Sequence, residues 1–193
     1  MKYFSAFVLL FFTSIISVCS QQLKSPEEFL GYPLGDKYTP HHRLVSYFQQ
    51  AAAAKPGMMK LEQYGQTNEG RPLLLAFIAS EENLSRLEDI RKNNLRLTGI
   101  LNDKPGDLNA PAIVWLSYNV HGNETSSSEV SMKMLYELLN PANAQTKEYL
   151  KNIVVIIDPC INPDGRDRYV NWFTQMSGKA ANPDRNAREH SEP

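Results

Sequence analysis

His121 and Glu124 stand three positions apart in the segment Tyr118-Asn119-Val120-His121-Gly122-Asn123-Glu124. An imidazole nitrogen and a carboxylate oxygen at this spacing can converge on one ion if the backbone turns between them, and Gly122 permits such a turn. Nitrogen plus oxygen donors suit Zn²⁺ at a catalytic centre, where water fills an open coordination position. The spacing alone is a weak signal, since about 0.3 such pairs arise by chance in a chain of this composition. A polar histidine at a strand end and a glutamate favouring a helix dipole would give the same letters. Position carries more information. The pair follows an apolar run of strand length and precedes an amphipathic helix, which is where open α/β sheets place their active sites.

The elements that must hold the pair are legible on either side of it. Ala112 to Tyr118 is a nearly continuous apolar run, expected as a strand covered on both faces. Ser126 to Asn140 reads as a helix, with capping-box spacing between Ser126 and Glu129 and an apolar stripe of Val130, Met134, Leu135 and Leu138. Ile153 to Ile157 is a second buried strand, so strand, helix and strand imply a right-handed crossover between parallel strands. Upstream, Met59 to Gln66 and Pro72 to Ile78 form a hairpin through Thr67-Asn68-Glu69-Gly70-Arg71. A helix runs from Thr39-Pro40 to Ala54, carrying His41 and His42 as exposed first-turn residues, and Lys55-Pro56-Gly57 stops it. Another begins after Ser80 and closes at Asn93-Asn94. Ser25 to Thr39 reads as a surface loop, and no regular element is expected after Cys160, itself a buried small residue. The fold class is α/β, with a mixed, largely parallel sheet flanked by helices.

Composition narrows the function classes. The 193 residues are 42% hydrophobic and 21% charged, a globular balance sufficient for one domain or slightly more. A formal net charge of -1 speaks against a nucleic-acid partner. Two cysteines, Cys19 and Cys160, rule out a disulfide scaffold. Met1-Lys2 followed by an apolar, serine-punctuated run reads as a signal peptide over residues 1–20, cleaved before Gln21. A secreted or periplasmic protein with no membrane attachment after cleavage is expected. Lipidation at Cys19 is the second reading, disfavoured by the bulky Val18, and an uncleaved anchor is the third.

Three segments together resemble the zinc metallocarboxypeptidases of the carboxypeptidase A type. His121-Gly122-Asn123-Glu124 resembles their H-x-x-E zinc motif, Gly65 to Leu73 their E-G-R-P hairpin, and Asn162-Pro163-Asp164-Gly165 their N-P-D-G loop. The matches run in the family's order from Met59 to Gly165. The resemblance implies a three-layer α/β/α fold, incomplete at the carboxyl end, with residues 21–193 as the amino-terminal part of a catalytic domain. It implies zinc as cofactor, with His121 and Glu124 as metal ligands. The activity implied is proteolysis, the hydrolysis of C-terminal peptide bonds of peptide or protein substrates by metal-activated water. The family's third ligand, a distant histidine, and its glutamate general base are expected beyond Pro193, so the chain alone is expected to be inactive. His190, the only later histidine, lies too near Glu124 to match the third ligand and reads as a loop residue. Arg166, Arg168, Arg185 and Arg188 could contact an anion, but none sits in the family's Asn-Arg pair. Arg71 is expected to be a structural ion-pair partner. Asn123 stands where carboxypeptidase A has arginine, which leaves the peptide substrate open. Two alternatives remain: an amidohydrolase or deacylase of the same fold acting on acyl-amino acids or cell-wall peptides, and a non-catalytic secreted binding module.

Overall fold

The computed structural model describes residues 22–177. In chain order these form α1 (Pro26–Leu30), α2 (His41–Ala54), β1 (Met59–Gln66), β2 (Pro72–Ile78), α3 (Glu81–Ser85), α4 (Leu87–Leu97), β3 (Ala112–Ser117), α5 (Ser126–Leu139), α6 (Ala144–Leu150), β4 (Ile153–Asp158) and α7 (Pro163–Met176). The expected signal segment, Cys19, Arg185, Arg188 and His190 lie outside the described residues.

The four strands make one open sheet in the order β1-β2-β4-β3. β1 with β2 and β2 with β4 are antiparallel, whereas β3 with β4 is parallel. Thus β1, β3 and β4 point one way and β2 alone opposes them. Alternation along β4 explains why helices are needed on both faces. Val155 and Ile157 face a core built from Leu44, Tyr47, Phe48 and Ala51 of α2 and Met132, Leu135 and Leu139 of α5. Val154 faces the other way, into a smaller cluster with Ile90 of α4 and Ala79. The result is helix, sheet, helix.

Several expectations need correction. β3 is not covered on both faces, since Trp115 is 57% exposed, and it is an edge strand among the described residues. In α5 the buried stripe is Met132, Leu135, Leu138 and Leu139, while Val130 and Met134 face outward. The capping box there does not form: Thr125 is the N-cap and makes no side-chain cap bond, because Glu129 turns inward instead. A short helix, α1, occupies part of the expected loop, and it carries a real capping box between Ser25 and Glu28. Asn93 and Asn94 do not end α4, which continues to Leu97, since Asn93 is buried and exchanges hydrogen bonds with the Asp107 backbone. His41 is buried, its Nε2–H donating to the Pro72 carbonyl at 3.0 Å, because α2 packs its first turn against the start of β2.

The largest difference is α7, where no element was expected. Asn162-Pro163-Asp164-Gly165 is both a turn sequence and a sound helix start. Asn162 caps by accepting from the Gly165 N–H at 3.0 Å, and Pro163 occupies the first turn. Beyond it the apolar periodicity is thin, with Val170 the one buried aliphatic side chain.

Candidate metal centre

The two loops that leave β3 and β4 lie side by side at the sheet's carboxyl edge. Register brings Ser117 opposite Asp158, and backbone bonds continue the pairing beyond the strands: Tyr118 N–H to Asp158 O at 3.0 Å, Ile161 N–H to Tyr118 O at 3.0 Å, and Asn162 N–H to Asn119 O at 3.2 Å. Asn119 turns the chain with φ 55°, a left-handed conformation asparagine tolerates better than most residues.

Gly122 explains how the loops fit. A Cβ there would lie 2.2 Å from the carbonyl carbon of Gly165, so any side chain would drive the two loops apart. The H-x-x-E and N-P-D-G segments thus meet backbone to backbone. The β1–β2 hairpin joins the same corner through Arg71, which binds Asp164 at 2.6 Å, Asp167 at 2.7 Å and Glu69 at 2.5 Å. Thr67 adds a hydroxyl bond to Asp164 at 2.7 Å. Arg71 is therefore an ion-pair partner, and the three segments singled out in the sequence form one contiguous corner.

His121 and Glu124 project from this corner with side chains 56% and 58% exposed. Nδ1 of His121 lies 3.1 Å from Oε1 of Glu124. Two donors on one tetrahedral zinc ion stand roughly 3.4 Å apart at ordinary zinc–ligand lengths, so the separation fits a shared ion within a few tenths of an ångström. The pairing of one nitrogen and one carboxylate oxygen also suits zinc. Among the described residues no group of three or more His, Cys, Asp and Glu gathers around one point. Asn123 is exposed between the pair.

Nearby groups are occupied structurally. Asp158, buried at the end of β4, accepts from the Tyr64 hydroxyl at 2.8 Å and from Cys160 N–H at 3.3 Å. Its burial raises the carboxyl pKa, with the hydroxyl bond acting in the opposite sense. Burial likewise pushes the Cys160 thiol up to about 12, leaving a neutral, enclosed sulfur. Arg166 is not an anion contact at all: it is fully buried and paired with Glu129 at 2.8 Å. Arg168, half exposed, reaches Glu69 at 3.5 Å. Sequence reasoning missed Asn119 and the inward role of Glu129. The available signal was an asparagine at a strand end two residues before the histidine, where a left-handed turn is required.

The zinc carboxypeptidase family model matches residues 44–191. This chain belongs to that family. Its members are zinc-dependent hydrolases, and the matched span contains the hairpin, the H-x-x-E loop and the N-P-D-G helix start. Among solved structures, thrombin activatable fibrinolysis inhibitor superposes with a TM-score of 0.50 at 16% identity, over 68% of this chain and 27% of that one. Carboxypeptidase A from Helicoverpa armigera does so with a TM-score of 0.50 at 20% identity, over 70% and 28%. At these identities the likeness is one of fold. The chain spans little more than a quarter of the length of either.

Proposed function

We propose that the complete gene product is a zinc metallocarboxypeptidase and that His121 and Glu124 are two of its metal ligands. The observation that carries this reading is their convergence, 3.1 Å apart and solvent-facing, at the corner where three motif segments meet. When bound, zinc would acidify a water and polarise a substrate carbonyl. This chain's own contribution is to present one nitrogen and one carboxylate from a loop that backbone bonds from Ile161 and Asn162 hold against the next one, an approach that Gly122 permits by lacking a side chain. The third ligand, the general base and the groups that hold the substrate's terminal carboxylate are assigned to residues outside those described. With only two ligands identified, the 193-residue chain alone is expected to bind zinc weakly and to hydrolyse nothing.

The test is zinc content and peptide hydrolysis by the complete gene product. Wild type should carry about one zinc per chain and release C-terminal residues from a short peptide, and 1,10-phenanthroline should abolish release. His121→Ala and Glu124→Ala should each lose the metal. Cleavage of an acyl-amino acid in place of the peptide would favour the amidohydrolase of the same fold. A folded protein with neither activity would favour a binding module. Secretion belongs to the same reading: amino-terminal sequencing of exported protein should begin at Gln21, whereas a modified Cys19 at the start would reveal a lipid anchor.

A further inference from the structure

We propose that Arg166 is a positioning residue for the metal loop, holding residues 119–125 at both ends through one buried guanidinium. The inference rests on the reading of His121 and Glu124 as ligands. Arg166 is 0% exposed in the first half of α7, and all three of its nitrogens are engaged. Nη1 donates to Asn119 Oδ1 at 2.9 Å and to the Thr125 carbonyl at 2.6 Å, the two boundaries of the segment that contains both ligands. Nε and Nη2 donate to the Thr39 carbonyl at 3.0 and 2.6 Å, and Nη2 pairs with Glu129 at 2.8 Å.

The Asn119 arm reaches the ligand itself. Its Nδ2 donates to the His121 carbonyl at 2.5 Å, while its Oδ1 accepts from Arg166 and, at 2.9 Å, from Ser128. The Asn119 N–H is held by Ser127 Oγ at 2.9 Å. A side chain whose oxygen is fixed by two buried donors has no freedom to release its amide, so His121 is tethered through its backbone. Thr125, directly after Glu124, is tethered by the same nitrogen. Neither tether touches the imidazole or the carboxylate. They set where the two ligand side chains start from, so the loop does not have to be ordered when the ion binds. Outer partners that orient metal ligands commonly govern metal affinity about 10–100-fold, and these tethers act one step further back, on the backbone that carries the ligands.

The Thr39 and Glu129 contacts join α2, α5 and α7, and would exist if Arg166 served the fold alone. Asn119→Gly separates the two roles. Glycine accepts the left-handed backbone at this position and keeps the Thr39 and Glu129 contacts of Arg166, while the tether to His121 is lost together with the Oδ1 bonds to Arg166 and Ser128 that orient it. The measurement uses the complete gene product: zinc affinity by competition with a chelating dye, the visible spectrum after cobalt(II) substitution, and near-ultraviolet circular dichroism as a control on packing. Asn119→Gly should keep the dichroism, weaken zinc about 10–100-fold and alter the cobalt bands. Arg166→Lys, which keeps the charge without the fork, should do the same or more, and Asn119→Gly stands in for it if that variant does not fold. Wild-type zinc affinity and an unchanged cobalt spectrum in Asn119→Gly, with metal lost in His121→Ala, would overturn the positioning role while leaving the ligand reading intact. Metal retained in His121→Ala would instead sink the ligand reading and this proposal with it.

Discussion

At the scale of single residues, Glu129 shows how a helix position can be diverted from its local role. Its spacing from Ser126 suits a cap, yet the carboxylate lies buried and accepts from the Thr39 N–H at 2.6 Å and from Arg166. One oxygen serves both donors, and the other has no partner among the described residues. Such a pair adds little over an apolar core of the same shape, but losing one member strands the other charge. Glu129→Ala should therefore cost about 3–5 kcal/mol of unfolding free energy. Glu129→Gln keeps an acceptor oxygen and should cost less. Urea denaturation of the three proteins checks this, and equal losses in the two variants would mean that the charge, which both remove, is responsible rather than the side-chain volume or an acceptor oxygen.

At the scale of elements, the β1–β2 hairpin and α7 are joined chiefly by charge. Partial burial would raise the Asp164 pKa, but the Thr67 hydroxyl and the Arg71 guanidinium more than offset it, so the carboxyl titrates below its ordinary value of 3.8. A depressed carboxyl contributes stability above its unfolded pKa and loses it as pH falls through the folded value. The hairpin–helix contact should thus hold at neutral pH and weaken in acid, below the ordinary carboxylate range. Arg71→Ala should cost about 1–2 kcal/mol at neutral pH, given that the partners are largely but not fully buried. It should also flatten the pH dependence. Melting temperatures from neutral pH into acid would show it: parallel curves for wild type and Arg71→Ala would exclude Arg71 as the source.

The same scale separates what was legible in the sequence from what was not. β1, β2, β4, α2 and α5 were readable because apolar runs and helical stripes record burial against neighbours, and the turn between β1 and β2 is chemically distinct. His121 and Glu124 were readable because their spacing is local. α7 was not, since its start spells a turn and most of its length faces away from the core. Arg166 and Asn119 could not be assigned from sequence because their partners are distant: the Arg166 contact to Thr39 spans 127 positions and that to Asn119 spans 47. No periodicity encodes such a pairing.

At the scale of the whole molecule, the sheet is open at both outer strands among the described residues, β1 and β3, and β3 is the one that leads into the site. β2 and β4 are paired on both edges, whereas the outer edge of β3 has no neighbour among the described residues, and Val114 and Trp115 of this strand are exposed. Trp115 stands beside an apolar hollow of about 500 Å³ formed with Leu75, Phe77, Ile113, Val154 and Ile156. An unpaired edge with apolar side chains is a template for another strand, and charge on the edge is the usual protection. The nearest charges, Lys60, Glu62, Glu88 and Arg91, rim the hollow from β1 and α4, and none lies on β3 itself. The 193-residue chain expressed alone should therefore associate with itself through β3, its apparent mass by light scattering rising with concentration and its tryptophan emission shifting to the blue. Trp115→Lys places a cation on the edge and should reduce association without loss of helical circular dichroism. If Trp115→Lys associates as strongly as wild type, the contact lies elsewhere, and the open edge of β3 is not what brings the copies together.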